Sequence, residues 1–357
     1  MTALDVLVQR QPVDEDALGD LVAAEAARLG VTARVTWVDD CTSPPGTGAV
    51  LVTVPETPDL AELPYGGAVR VDLGHRAPDL SPRLAHHIQG RGVDGVRWAV
   101  RTLVHHDRWQ ARRVAYGDEP EQFGELWLPD TPTRAPVVVL LHGGYWRSRW
   151  QLDLMDALAV DLAGRGFAAW NVEYRRPDRH GWPATVADVD AAVRYVAQLA
   201  ATHPVDAGRV ALVGHSAGGQ LAPRAAADLL ETTDAQVRPA SVVVQAGVVD
   251  LHEAQRRDLG EGAVANALGG TCDELPDTYA SASPLLRLPV GAHQLVVTAR
   301  ADSPDLNEMN RRYAAAAEVA GDAVTALHGD GDHFTLIAPE SQLWADTAAV
   351  LAARLSP

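Results

Sequence analysis

From about residue 106 onward, the chain alternates near-continuous runs of Val, Leu and Ala with Ala-rich stretches. The runs read GELWLP (124–129), PVVVLL (136–141), FAAWNVEY (167–174), RVALVGH (209–215), SVVVQAG (241–247) and HQLVVTA (293–299). A strand that is apolar at consecutive positions is buried on both faces, and such strands belong to parallel sheets covered on both sides. The stretches at 150–165 and 184–200 have helical composition and the length that parallel crossovers need. This pattern predicts an open, mostly parallel α/β sheet over residues 106–357.

Residues 1–105 read as a separate, smaller α/β unit. LDVLVQ is a strand, followed by a helix opened by Asp14 with Leu18, Leu21, Val22 and Leu29 on one stripe. ARVTWVDD, AVLVTVP and AVRVDLG follow as β-rich pieces between Pro- and Gly-rich turns, and VRWAVRTLVHH closes the unit as a helix. The pairs His86-His87 and His105-His106 invite a metal reading. Adjacent residues diverge on a helix, however, and no third ligand stands at useful spacing, so surface or capping histidines are expected. Nothing in this unit carries recognisable chemistry. A docking or homodimer-forming role is the expectation its separate composition leaves open.

Composition excludes several classes of function. A formal charge of -17 on 357 residues argues against nucleic acid as partner. The chain contains no Lys, so Arg carries every basic side chain. Cys41 and Cys272 match no metal or redox spacing and are expected as reduced thiols. The opening MTALDVLVQR lacks a basic and then apolar leader, and no apolar run approaches the ~20 residues of a bilayer span. A cytoplasmic protein without a membrane partner, acting on a small molecule, is the expectation.

The strongest chemical signal is Gly214-His215-Ser216-Ala217-Gly218-Gly219, between the strand RVALV and the helical QLAPRAAADLL. Glycines on either side of the serine let the backbone turn sharply from strand to helix, which lifts the hydroxyl above the sheet edge. A serine hydroxyl needs a base to take its proton and a carboxylate to orient that base. In sheets with such an elbow the acid and then the base follow in chain order. His215 adjoins the serine and must point away from Oγ, and His252, His293 and His328 fall in or beside strands or the following insert. His333, in the loop GDGDHF, is the expected base. Asp302, just past the strand QLVVTA, is the expected acid, with Asp305 the alternative; Asp330 and Asp332 lie so near His333 that they shape its loop.

A tetrahedral intermediate also needs donors for its oxyanion. One is the N–H of Ala217. The others are expected from His142-Gly143-Gly144-Tyr145-Trp146, where Gly143 and Gly144 bring bare amides close and Gly144 and Tyr145 donate. Trp146 either stacks on an aryl substrate or walls the core beneath the loop. Arg147, Arg149, Arg175 and Arg176 follow strand ends, where one could grip a carboxylate or all could be solvated. Asp188 and Asp190 are expected in helix or loop pairing.

Taken together, HGGYW, VEYRRPD, GHSAGGQLA, GVVDL, Ala282-Ser283-Pro284, ADSPDL and GDHF resemble the kynurenine formamidase (arylformamidase) branch of the α/β-hydrolases. They are also similar to the neighbouring hormone-sensitive-lipase-like carboxylesterases. The likeness covers residues 106–357 and implies an α/β-hydrolase fold preceded by the additional small α/β domain. It further implies nucleophile Ser216, acid Asp302, base His333, oxyanion donors at 143–145 and Ala217, and no metal or organic cofactor. The implied reaction is hydrolysis of an N-formyl aryl amide or a small ester through an acyl-enzyme. The alternatives are a carboxylesterase or a tailoring esterase or lactonase on a larger acyl substrate, and a non-catalytic binding protein on the same scaffold. Residues 251–281, expected as the lid, are acidic and Gly-rich and depart from the family pattern.

Overall fold

The structure is a computed structural model that describes residues 1–39, 41, 48–55, 57, 67–75, 84–131 and 133–356. It divides into two compact units, Met1–Gln110 and Ala111–Pro357. The division falls beyond the expected boundary at residue 105 because the closing helix, Asp94–Arg108, runs on for another turn.

The first unit holds five strands: β1 (Ala3–Gln9), β2 (Thr32–Val38), β3 (Ala49–Thr53), β4 (Ala68–Asp72) and β5 (Leu84–Gln89). They pair in the order β2-β1-β3-β4-β5, all parallel. Helix Glu15–Arg28 begins at Asp14, whose side chain accepts from the N–H of Ala17, as expected of an N-cap. The connecting Pro- and Gly-rich turns lie largely outside the described residues. Strand β5, LAHHIQ, was not expected; its paired histidines hide the strand signal. His87 is buried and bonds Asp72 at 2.6 Å, and Asp72 also accepts from Arg70 at 3.1 Å. His105 is buried, with neither ring nitrogen hydrogen-bonded among the described residues. Burial, then the nearby Arg108 charge, pushes its pKa down to about 3.

The second unit carries β6 (Arg112–Ala115), β7 (Phe123–Trp127), β8 (Ala135–Leu141), β9 (Ala168–Val172), β10 (Val205–His215), β11 (Pro239–Gln245), β12 (His293–Ala299) and β13 (Val324–Gly329). Their order is β13-β12-β11-β10-β8-β9-β7-β6. β6 and β7 pair antiparallel, as do β7 and β9, while every other pairing is parallel. Of the central strands, β8 is buried over nearly its whole length, β10 from Val210 and β11 from Ser241 onward, which is what their continuous apolar runs require. Helix Gly218–Glu231 packs on β10 and β11, and helix Pro304–Ala320 on β12 and β13. Trp127, Trp170 and Trp344 are fully buried in this unit.

The sheet's carboxyl edge gathers the chemistry. β8 ends at the HGGYW loop, β10 at Ser216, β12 before Asp302 and β13 before His333. Crevices at the carboxyl ends of parallel strands are where such sheets bind ligands. After β11, residues 251–282 fold as three short helices, Leu251–Arg256, Ala263–Leu268 and Pro276–Ala282. No helix among the described residues is long and apolar enough to cross a membrane.

Candidate active site

Ser216 stands on a turn that only glycine neighbours allow. A Cβ on Gly214 would lie 2.0 Å from the carbonyl oxygen of Gly218, and one on Gly218 would lie 2.0 Å from that of Leu141. Contacts that short with backbone leave no room for a methyl group at either position. Ser216 itself has φ +57°, a left-handed conformation that costs an L-residue about 1–2 kcal/mol. Its N–H donates to Gln245 and its carbonyl accepts from Val248, which together hold the strained turn. Helix Gly218–Glu231 starts directly behind it with Ala217 at the N-cap.

Asp302 and His333 meet. Nδ1 of His333 lies 2.7 Å from Oδ2 of Asp302, whose side chain is almost wholly buried. The other Asp302 oxygen accepts from the N–H of Ser303, and the turn is tied by the Asp302 N–H to Ala299. Asn307 reaches back with its amide to the carbonyl of Ala299 at 2.9 Å. Asp305, the alternative acid, is engaged elsewhere, accepting from Arg257 at 2.6 Å. Asp332 caps its own loop by accepting from Phe334 and Thr335, and Asp330 pairs with Arg300. The three histidines set aside in the strands and the insert are engaged elsewhere: His293 bonds Ser241 and Thr325, His328 bonds Thr298, and His252 packs on Tyr279.

The HGGYW loop lies against the serine. A Cβ on Gly143 would fall 2.9 Å from Cβ of Ser216 and 2.8 Å from the carbonyl oxygen of His215. Gly144, Tyr145 and Trp146 all have positive φ, at 110°, 50° and 56°. Two successive non-glycine residues in this region are strained and persist only where surrounding contacts hold them. Among the described residues, the N–H groups of Gly144, Tyr145 and Ala217 find no acceptor. Amides left open beside a serine at a helix N-terminus suit an anion.

Several groups hold the strain. Trp146 is in the core, 1% exposed, and its indole N–H donates to Gln220 at 3.1 Å. Of the two readings of Trp146, this geometry is the core wall; its ring is not available to stack on a substrate. Glu173 was not expected as a site residue. Its carboxylate accepts from the N–H of Leu152 at 3.1 Å and of Tyr174 at 2.9 Å, faces Nε2 of His142 at 3.4 Å, and pairs with Arg176. One buried carboxylate therefore touches both stems of the loop. The only sequence signal was a Glu directly after an apolar strand.

Arg147, Arg175 and Arg176 serve the framework, while Arg149 lies over the Trp150 ring at 5.9 Å. Arg175 makes a fork to Asp188, Arg176 is buried between Glu173 and Glu121, and Arg147 donates to the carbonyls of Gly260 and Glu261. Asp190 pairs with Arg224 at 3.5 Å. The contacts of Arg147 bring the insert over the HGGYW loop, where Gly260 lies against the Tyr145 ring. Burial, and next the charge of Asp302, raises the pKa of Tyr145, so its phenol stays protonated near neutral pH.

Comparison with known proteins gives this arrangement its context. Residues 125–291 match the family described as BD-FAE. The chain is 28% identical over 212 residues to esterase LipC of Mycobacterium tuberculosis, covering 55% of this chain and 51% of that protein. It is 37% identical over 139 residues to esterase LipI of the same organism, covering 37% of this chain and 43% of that one. The chain thus spans about half the length, or less, of these curated relatives. A truncated carbohydrate esterase from gut microbiota superposes with a TM-score of 0.60 at 20% identity, covering 69% of this chain and 95% of that structure. A thermostable esterase from Pseudomonas putida superposes at 0.56 with 24% identity, covering 70% and 83%.

The fold is that of the α/β-hydrolases. β10 and helix Gly218–Glu231 form the strand–helix junction that carries Ser216, and the loop after β8 lies beside it. The aryl-formamide specificity expected from the sequence has no counterpart among these relatives, whose names are those of esterases.

Proposed function

We propose that the protein is a serine hydrolase of the carboxylesterase type, cleaving esters of small organic acids or alcohols. The observation that carries this reading is the pair His333–Asp302, joined at 2.7 Å, at the same sheet edge as a serine on a strained elbow. In the reaction, Asp302 holds the His333 ring with Nδ1–H toward the carboxylate, which leaves Nε2 as the base. Nε2 takes the Ser216 proton as Oγ attacks the ester carbonyl carbon. The oxygen of the tetrahedral intermediate receives the amides of Ala217, Gly144 and Tyr145. Collapse expels the alcohol with the proton from His333, and water activated by the same ring releases the acid from Ser216. None of these steps calls for a metal or organic cofactor. The esterase relatives support the substrate class.

An aryl-formamide substrate is the second reading. It rests on Tyr145, whose half-buried ring lies between the loop and Gly260, and it lost support when Trp146 went into the core. A panel of p-nitrophenyl acetate, p-nitrophenyl butyrate and N-formylkynurenine, with Ser216→Ala as control, separates the two. Ester turnover without formate release supports the first reading, and formate release at a higher kcat/KM reverses the order. A reducing, cytoplasmic setting is proposed, in which Cys41 and Cys272 stay thiols. The small N-terminal unit is proposed as a docking or dimer-forming module.

A further inference from the structure

His215, next to the nucleophile, has a side chain with no part in the reaction as written. It is nonetheless placed where three elements converge. Its ring is buried, its carbonyl oxygen and Cβ of Ser216 wall the space beside Gly143, and its centroid is 4.5 Å from the His333 ring. Nε2 lies 3.0 Å from the main-chain carbonyl oxygen of His333. A carbonyl oxygen only accepts, so Nε2 carries the proton and Nδ1 is left as a lone pair. Nδ1 has no partner among the described residues. The titratable groups that face the ring are His333 and His142; burial first, and then His333, hold its pKa well below the ordinary histidine range. The ring therefore stays neutral while its neighbour takes the proton.

We infer that His215 is a positioning residue, whose Nε2–H donates to the backbone carbonyl of His333 and fixes the base relative to Ser216. The inference rests on the serine hydrolase reading. His333 sits on a partly exposed loop between β13 and the short helix Thr335–Ile337. Asp302 anchors its ring at Nδ1, and the bonds of Asp332 and Gly331 hold the neighbouring loop, which leaves His333 itself tied only through its side chain. The carbonyl bond from His215 supplies the second anchor, and it comes from the residue bonded to the nucleophile itself. A displacement of the reacting groups by about 1 Å costs roughly 10²-fold in rate.

The test compares His215→Leu, which removes the donor, with His215→Gln, which returns an N–H of similar reach, using p-nitrophenyl acetate. The expected result is a kcat lowered roughly 10- to 10²-fold in the Leu variant with KM little changed, and recovery of most of that loss in the Gln variant. Equal, wild-type kcat in both variants overturns the inference, and so does an equal loss in both. Nitrogen NMR of wild-type protein gives a readout independent of folding variants: a neutral Nε2–H tautomer from pH 5 to 9 is expected, and an Nδ1–H tautomer overturns the assignment. Ser216→Ala separates the two levels. If it retains ester turnover, the hydrolase reading itself fails, whereas an inactive Ser216→Ala beside a fully active His215→Leu removes only the role of His215.

Discussion

Replacing Gly143 by Ala puts one methyl group where the oxyanion loop meets the elbow. The new Cβ would sit 2.8 Å from the carbonyl oxygen of His215 and 2.9 Å from Cβ of Ser216. An ordinary contact begins near 3.4 Å, so the loop and the elbow must separate by about 0.6 Å. Neither neighbour is the tip of a flexible side chain, so the shift falls on the backbone carrying the amides and the nucleophile. Losing one oxyanion donor costs about 10²–10³-fold, and 1 Å of misplacement about 10²-fold, so a partial shift predicts a kcat lowered roughly 10- to 10²-fold. KM should change little, because the oxyanion is bound in the transition state and not in the ground state. Overpacking should also lower stability by about 1–3 kcal/mol. Steady-state kinetics on p-nitrophenyl acetate, with thermal melts on the same samples, read both quantities. A folded Gly143→Ala protein with wild-type kcat would refute the placement of the loop at the reacting centre.

Three further outcomes follow from the same geometry. Glu173→Gln keeps the shape but removes the charge that faces Arg176 and both loop stems, so a kcat lowered about 10-fold and a reduced melting temperature are expected together. A lower melting temperature with unchanged kcat would restrict Glu173 to the framework. Trp146→Phe loses the bond to Gln220 and should cost about 1 kcal/mol in a denaturant titration with KM unchanged; a large rise in KM would put the ring in the substrate pocket. His105 has a folded pKa of about 3, below its unfolded value near 6.5, so the unfolded chain binds the extra proton between them. Its contribution is full above pH 6.5 and is lost as pH falls toward 3, so His105→Phe should flatten the fall in melting temperature over that window.

How much of this was legible in the sequence depends on how local the signal is. The continuous apolar runs mark burial on both faces of β8, β11 and the second half of β10, and their alternation with helix-length stretches turns that burial into a parallel sheet. Gly214 and Gly218 flank Ser216 at a strand–helix junction, and their meaning is equally local. The meeting of Asp302 with His333 followed from strand ends, since the carboxyl edge gathers residues distant in sequence. Glu173 and His215 were hidden for the opposite reason. Glu173 acts through contacts with both stems of the HGGYW loop and His215 through a bond to a backbone carbonyl, and no spacing in the chain announces such partners. Trp146 was ambiguous because a loop tryptophan beside a glycine pair can face either way. Its partner Gln220, in helix Gly218–Glu231 behind Ser216, decides the matter. Strand β5 was obscured by two histidines, one of which is satisfied by Asp72 from the neighbouring strand.

Everything proposed for this site rests on Ser216 being a nucleophile activated by His333 and Asp302. Incubating the protein with a p-nitrophenyl alkylphosphonate, digesting it and locating the adduct by mass spectrometry tests that claim most directly. One phosphonyl group is expected on the peptide containing Ser216, absent in Ser216→Ala and formed at least about 10²-fold more slowly in His333→Ala. An adduct on a different residue, or one that forms on Ser216 equally fast without His333, would contradict it.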